Sequence, residues 1–353
     1  MILREPIDHP SAWKASDFAG PDDYAIDIGP RHVRAFDEAL ASIRRQGLTL
    51  ATVEREHVPL PAIAGELAAL RREVLHGRGF VMLRGIPVDR YDLADLEILY
   101  WGLGTHFGIG RSQSVLGDRV GHIRDMTKTD PHARAYRNKM ELTLHTDLCD
   151  VIAMLSLRPS ARGGMSLLAS APAVHNAILA ECPQHLEALY RGGPYHRMNE
   201  EGPGQSPFTP HDVPAFSVRD GVLSCRYIRE LLEAGCDLAG RPLDARAGAA
   251  FDAMDAIAAR ADLCLRFVMQ PGELTIYNNW TVLHGRTAFE DGERPEQKRH
   301  LLRLWLDVPG YRPVVPETAL YDGPGIGFQE GRMPSVDLSK YERTIALAEG
   351  ERR

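Results

Sequence analysis

The sequence predicts an α+β fold that is mainly β, with a jelly-roll core flanked by helices and interrupted by a lid insertion. Two observations predict this fold. Apolar residues at helical spacing dominate residues 1–140, whereas short apolar runs between turn signals dominate residues 141–310. Helices followed by many short strands are typical of a two-layered β structure with helices packed outside it.

The helical part contains three amphipathic stretches and one strand. Apolar residues recur at helical spacing in residues 31–46, 61–76 and 90–103. Between the last two, the segment Phe-Val-Met-Leu-Arg lies between Gly79 and Gly85, which is typical of a buried strand bounded by turns. We therefore expect the first core strand within residues 1–140.

The rest of the chain is rich in predicted strands. They are expected at residues 142–157, 165–170, 214–219, 222–227, 263–269, 273–278, 281–286 and 300–308. An insertion at about 191–262 interrupts this series, with a Pro- and Gly-rich part at 191–213 and a helical part at 228–262. Long insertions on a rigid scaffold are usually functional, so we expect it to act as a lid.

Nothing in the sequence resembles an interdomain linker. We therefore expect residues 1–353 to form a single domain, with a core at 141–310 and a C-terminal extension at 311–353.

Composition excludes several classes of partner. The formal net charge is −7 and basic residues are not clustered, so nucleic acid is not expected as a partner. The longest apolar runs are far below the roughly 20 residues of a membrane span, and the N-terminus lacks a signal-peptide core. Five scattered cysteines without a CxxC pair favour a reducing cytoplasm. The sequence is compatible with a homo-oligomer but does not specify one.

A histidine and an aspartate lie two residues apart in a predicted strand. In the segment Leu-Thr-Leu-His-Thr-Asp-Leu, His145 and Asp147 fall on one face, because side chains alternate along a strand. A third polar residue, His284, ends another apolar strand and is followed by Gly285. Two histidines and one carboxylate form the facial triad that binds non-haem Fe(II) and leaves positions open for further ligands. The same ligand types also suit catalytic zinc.

Two arginines follow His284 on the last predicted strand. Arg299 and Arg303 are four residues apart on one face of an otherwise apolar run. A buried guanidinium is costly unless it meets an anion, and its planar fork suits a carboxylate. The residues alone leave open whether that anion is a protein carboxylate or a ligand.

Taken in order, these motifs resemble the Fe(II)/2-oxoglutarate dioxygenases of the taurine dioxygenase (TauD/TfdA) and clavaminate synthase-like group. The resemblance covers roughly residues 75–308. It rests on the segments Gly79–Gly85, Leu144–Asp147, Arg158–Ser166 and His284–Arg286, and on the arginines that follow. It implies a double-stranded β-helix of cupin-like jelly-roll form, Fe(II) held by His145, Asp147 and His284, and 2-oxoglutarate and O₂ as co-substrates.

The resemblance also implies roles in binding 2-oxoglutarate. Arg299 corresponds by position to the residue that binds the distal carboxylate, and Ser166 to a hydroxyl that helps to hold it. The loop from Phe289 to Lys298 makes the His-to-Arg spacing slightly long for the family, so Arg303 remains an alternative to Arg299.

The implied reaction converts 2-oxoglutarate to succinate and CO₂ while a metabolite is oxidised. Halogenating relatives lack the carboxylate that Asp147 provides here, so hydroxylation is expected, with desaturation, epoxidation or cyclisation as alternatives. Two other classes are a zinc-dependent hydrolase, which would need a general base that the motifs do not supply, and a non-catalytic cupin-like binding protein.

The substrate is expected to be a small molecule that carries a carboxylate. Arginines at the position of Arg303 can hold the acidic group of the substrate in similar enzymes. Other candidate substrate contacts are Gln113 and His122, which precede the metal-binding strand, and Arg226 and Tyr227 in the insertion.

Overall fold

The structure is a computed structural model that describes residues 1–345. Its helices are α1 (Pro30–Arg45), α2 (Ala64–His76), α3 (Leu93–Gly104), α4 (Ala171–Glu181), α5 (Leu186–Arg191), α6 (Arg229–Leu238) and α7 (Ala245–Ala258). Its strands are β1 (Ala25–Asp27), β2 (Phe80–Arg84), β3 (Ile109–Arg111), β4 (Gly121–Ile123), β5 (Leu142–His145), β6 (Val151–Arg158), β7 (Arg162–Gly163), β8 (Ser166–Ser170), β9 (Phe216–Arg219), β10 (Val222–Cys225), β11 (Cys264–Phe267), β12 (Leu274–Asn278), β13 (Val282–Arg286), β14 (Phe289–Glu290) and β15 (His300–Asp307).

Two sheets form the core of the molecule. Within residues 1–345, the larger sheet has seven strands in the order β1-β2-β12-β6-β15-β3, with β4 also paired to β15. The smaller sheet has four strands in the order β11-β8-β13-β5. The strands within the two sheets pair antiparallel except β1 with β2. The predicted α+β jelly roll with flanking helices is confirmed.

Strand β15 shows how the larger sheet divides the interior. Leu302, Leu304 and Leu306 belong to the apolar core that the sheet shares with α1, α2 and α3. Because side chains alternate along a strand, Arg303 and Trp305 face the opposite side, toward the smaller sheet. Burying each leucine contributes roughly 1.5–3 kcal/mol, so the outward face anchors the strand and leaves the inward face available for polar groups.

Two helices and five very short strands were not predicted. Helix α4 begins after Ser170, whose hydroxyl accepts a hydrogen bond from the N–H of Ala173. Its buried residues are spread over the first eight positions without an amphipathic stripe, because α4 contacts both α7 and β8. Strands β1, β3, β4, β7 and β14 have two or three residues each, too few to show a periodic pattern.

The predicted strand at 142–157 is interrupted. Strand β5 ends at His145 and β6 begins at Val151, so Asp147 lies in the connecting turn rather than on the strand. In the described chain, no helix has the length and apolar composition needed to cross a lipid bilayer.

Candidate metal centre

His145, Asp147 and His284 come together in the interior. Strands β5 and β13 pair antiparallel and place His145 directly opposite His284, with the ring centres 4.2 Å apart. The Nε2 atom of His145 lies 3.7 Å from Oδ1 of Asp147, and the Nε2 atom of His284 lies 3.8 Å from Oδ2. One ligand atom from each residue lies within 4.8 Å of the others, a grouping that could hold a single metal ion.

The hydrogen bonds and charges around the three residues suit metal binding. The Nδ1–H of His145 donates to the carbonyl oxygen of Thr143 at 2.7 Å, which leaves the lone pair of Nε2 free for a metal ion. Burial, with His145 adjacent, lowers the pKa of His284 well below its usual value, so this imidazole is neutral. Burial alone would raise the pKa of Asp147, but Arg303 and the two histidines hold it well below its usual value. Two imidazoles and one carboxylate are a donor set that fits Fe(II).

Asn279, which directly follows β12, holds the turn that contains Asp147. The backbone N–H of Asp147 donates to Oδ1 of Asn279 at 2.9 Å. The amide nitrogen of Asn279 donates to the carbonyl oxygens of Asp147 and Cys149. Asn279 therefore satisfies a backbone that has left the sheet, and it was not singled out in the sequence because nothing in its spacing marks it.

The carboxylate of Asp147 is held by two side chains of β15. Its Oδ2 accepts from Nη1 of Arg303 at 2.8 Å and from the indole N–H of Trp305 at 2.9 Å. Arg303 is held in turn by Gln113, whose Oε1 accepts from Nε of Arg303 at 2.7 Å. The third nitrogen of Arg303, Nη2, has no partner within residues 1–345. Gln113, a predicted substrate contact, thus touches Arg303.

An inner cavity of about 50 Å³ borders His145 and His284. Ser166 and Arg299, the expected contacts of 2-oxoglutarate, line it together with Arg286. Arg299 is 3% exposed, and burial lowers its pKa to about 10. Gly164 has a φ of +69°, and a Cβ added there would lie 3.2 Å from Nε of Arg299, so glycine allows this close packing.

Arg286 adds a second buried guanidinium to this cavity. Burial, followed by the charge of Arg299, lowers the pKa of Arg286 well below its usual value. Within residues 1–345, neither arginine has a carboxylate within 4.0 Å, and nitrogen atoms of both lack a hydrogen-bond partner. This pair requires an anion, and the carboxylate of 2-oxoglutarate fits the requirement.

A larger outer cavity of about 300 Å³ lies on the other side of the triad. Tyr136, Leu142, His145 and Arg303 border both cavities, so the cavities meet at the metal centre. The outer walls come from the segment before β5, from the insertion and from the C-terminal extension. Their lining residues include Arg134, Met140, Thr143, Met198, Glu230, Leu231, Val336 and Leu338.

Four of the five predicted substrate contacts line neither cavity: Gln113, His122, Arg226 and Tyr227. His122 on β4 bonds to His300 at 2.9 Å and to Glu97 at 3.1 Å. The hydroxyl of Tyr227 donates to Asp255.

Arg226 stacks on Trp280, with its guanidinium carbon 4.1 Å from the ring centre, and lines a separate cavity. Arg226 and Tyr227 lie in the turn that follows β10, and hydrophobic periodicity does not encode the path of such a turn.

The sequence matches known proteins over most of its length. A family model described as taurine catabolism dioxygenase TauD, TfdA family, matches residues 44–305. The chain is 33% identical over 320 residues to FR-33289 synthase of Streptomyces rubellomurinus, covering 88% of this chain and 93% of that protein. It is 28% identical over 308 residues to a taurine hydroxylase-like protein of Stachybotrys chartarum, covering 83% and 77%.

Known structures share the fold at low identity. An asparagine oxygenase superposes with a TM-score of 0.62 at 19% identity, over 86% of this chain and 99% of its own. The non-haem iron oxygenase OrfP in complex with Fe and alpha-ketoglutaric acid superposes with a TM-score of 0.60 at 15% identity, over 80% and 93%. At these identities the likeness concerns the fold.

Proposed function

Because the chain belongs to the TauD/TfdA family of Fe(II)/2-oxoglutarate-dependent dioxygenases, we propose that it hydroxylates an anionic small molecule. It is an oxidoreductase that uses Fe(II), 2-oxoglutarate and O₂. Once bound, these supply the oxidising chemistry, in which 2-oxoglutarate becomes succinate and CO₂ and one oxygen atom goes to the substrate. One observation carries the proposal: the His145–Asp147–His284 triad lies where an inner and an outer cavity meet.

The triad residues hold the iron in this proposal. The bond from His145 to Thr143 directs Nε2 toward the metal, and Asp147 supplies the one negative charge among the three ligands. Trp305 and Arg303 orient that carboxylate from one side, which leaves its remaining lone pairs for the ion. Three protein ligands of this kind would leave coordination positions on the iron for the co-substrate and O₂.

Arg299 holds the distal carboxylate of 2-oxoglutarate, with the hydroxyl of Ser166 beside it. Arg303, the alternative, already donates to Asp147 and Gln113, whereas Arg299 lies in the inner cavity with Nη1 unpartnered within residues 1–345. A guanidinium without a counter-ion gains most from a carboxylate, which supports Arg299.

The substrate occupies the outer cavity and presents its acidic group to Nη2 of Arg303. This atom is buried, unpartnered in the described chain, and belongs to a residue that borders both cavities. The asparagine oxygenase and OrfP have been captured with 3-hydroxyasparagine and with hydroxylated arginines. Amino acids are therefore the first compounds to test, followed by other anions of similar size.

Succinate release over a compound panel tests the proposal. The panel contains amino acids, N-acylated amino acids, sulfonates, phosphonates and neutral apolar compounds, and product mass is measured alongside succinate. We expect coupled turnover and a mass gain of one oxygen for anionic members. His284→Ala is the control, because loss of an iron ligand should abolish turnover while the fold is retained. Strong coupled turnover confined to neutral apolar compounds would overturn the assignment of an anionic substrate.

A further inference from the structure

Arg286 ends the segment His284–Arg286 that contributes to the family resemblance, but no role has been assigned to it, and it lines the inner cavity. It follows the triad residue His284 by two positions on β13, and its cross-strand partner on β8 is Ser166. Both Arg286 and Ser166 line the inner cavity, and Arg286 is 4% exposed.

The guanidinium of Arg286 has two differently occupied sides. Nη2 donates to the carbonyl oxygens of Asn138, at 3.1 Å, and of Met140. Nε and Nη1 are buried and have no partner within residues 1–345. One side therefore holds the segment that precedes β5, and the other side offers two N–H donors inside the barrel.

Arg299 lines the same inner cavity as Arg286. The guanidinium carbons of Arg286 and Arg299 lie 4.8 and 5.2 Å from the ring centre of Phe289, and Nη1 of Arg299 is also unpartnered in the described chain. Two buried cations that line one cavity destabilise one another, and each loses hydration that no carboxylate within 4.0 Å replaces. An anion with two oxygens offers an acceptor to each guanidinium.

The segment held by Arg286 is also a wall of the outer cavity. Asn138 and Met140 line that cavity, and the backbone N–H of Phe289 donates to the carbonyl oxygen of Lys139 at 3.1 Å. Hydrogen bonds from Arg286 on β13 and Phe289 on β14 thus hold the three consecutive residues 138–140 of the wall.

We propose that Arg286 is a second binding residue for the distal carboxylate of 2-oxoglutarate and that it couples co-substrate binding to the wall formed by residues 138–140. The inference rests on the proposed binding of that carboxylate in the inner cavity. Once the carboxylate neutralises the two guanidiniums, Arg286 keeps its place and its bonds to the wall. Because coupling between two sites is reciprocal, a ligand that orders the wall also tightens 2-oxoglutarate binding.

The test measures binding without turnover. Full-length protein is loaded with Mn(II) under anaerobic conditions, and the dissociation constant of 2-oxoglutarate is measured by calorimetry for wild type, Arg286→Leu and Arg286→Lys. Hydrogen exchange of residues 136–142 is followed with and without saturating 2-oxoglutarate. We expect Arg286→Leu to weaken binding by about 10- to 100-fold, the range typical of a lost hydrogen bond to a charged group, and Arg286→Lys to weaken it less. Wild type should gain protection at 138–140 on binding, and Arg286→Leu should not.

Arg226→Leu is the matched control. Arg226 is equally buried and also has an unpartnered Nε and Nη1 within residues 1–345, but its cavity shares no lining residue with the inner or outer cavity. Its dissociation constant for 2-oxoglutarate should stay within about twofold of wild type, because it makes no contact with that ligand.

The outcomes are distinguishable. Wild type that binds no 2-oxoglutarate would defeat the proposed function itself. Wild type and Arg286→Leu that bind it equally would overturn the present inference alone. Faster exchange at 138–140 in Arg286→Leu, with unchanged affinity, would reduce Arg286 to a purely structural residue.

Discussion

At the scale of single residues, Arg299 and Arg303 differ in their contacts. Arg299 directly precedes β15 and lines the inner cavity with Nη1 unpartnered within residues 1–345, whereas Arg303 on β15 donates to Asp147 and lines both cavities. The sequence placed both on one strand face but left their assignment open, because four-residue spacing does not say which side chain finds an internal partner.

Replacement of each of the two arginines by leucine gives a first prediction. Arg299→Leu should raise the 2-oxoglutarate requirement strongly, since a buried carboxylate would lose a partner worth roughly 2–5 kcal/mol. Ser166→Ala should cost about 1 kcal/mol, as for a neutral donor. Arg303→Leu should instead weaken metal binding. Titration of metal and of 2-oxoglutarate for each variant checks this, and a 2-oxoglutarate defect in Arg303→Leu alone would exchange the roles.

Gln113 gives a second prediction at this scale. Gln113→Leu should weaken Fe(II) or Co(II) binding by about 10-fold or more, because Arg303 would lose the acceptor that orients it toward Asp147. Gln113→Glu keeps an acceptor oxygen and should retain most of the affinity. Anaerobic metal titration provides the measurement. Equal affinity in Gln113→Leu and wild type would show that Asp147 does not depend on this contact.

At the scale of elements, helix α4 contributes a buried titratable group. His175 is 0% exposed, its Nε2 lies 2.9 Å from the hydroxyl of Tyr190, and its Nδ1 has no partner in the described chain. Burial lowers the pKa of His175 to about 4 from the usual 6.5. The unfolded chain therefore binds a proton between pH 6.5 and 4 that the folded protein does not bind.

The sign of the pH effect follows from this difference. The free energy of unfolding should fall as pH drops from 6.5 toward 4, by up to about 1.4 kcal/mol per pH unit for one such histidine. His175→Gln should flatten that slope, while His106 and His300, whose pKa values burial lowers to about 4 and about 3, still contribute in both proteins. Urea unfolding across this pH range tests it, and parallel curves for the two proteins would contradict it.

At the scale of the whole molecule, the insertion and the C-terminal extension pack on one another over the outer cavity. Glu200 of the insertion is buried in an ion pair with Arg134, 2.8 Å apart, and Arg134 also donates to the carbonyl oxygen of Gln113. Arg332 of the extension donates to the carbonyl oxygens of Asn199 and Glu201. The ion pair and the hydrogen bonds connect segments that have little regular backbone pairing.

This arrangement supports a prediction about motion. Residues 191–230 should exchange amide hydrogens faster than the two sheets in the ligand-free enzyme, because isolated bridges such as Gly193 with Val213 replace a continuous ladder over much of the segment. Exchange should slow when substrate binds and water is excluded from the site. Protection that is unchanged between free and substrate-bound enzyme would count against a lid.

The fold and the triad could be predicted because short segments of the sequence indicate both. Alternation on β15, the apolar segment that leads to His145 and the glycine after His284 are short-range signals. The interruption of the strand before Asp147 was not predicted. The features that the sequence did not predict depend on contacts between residues that are far apart in the chain. Asn279 matters through the turn at Asp147, 132 residues away, and the position of Tyr227 depends on a bond to Asp255. Residues 346–353 of the predicted extension lie outside the described residues.

The alternation along β15 bears on how this chain can change over evolutionary time. Residues 292–298 before the strand are largely exposed, so their number can vary among descendants without touching the interior. The strand itself tolerates no such change. A register shift of one residue would point Leu302, Leu304 and Leu306, which pack against the helices, into the metal centre. It would also point Arg303 toward the helices. Insertions in this region should therefore accumulate before Arg299 and never after it, which fixes the spacing from Arg299 to Arg303 while leaving that from His284 to Arg299 free to drift.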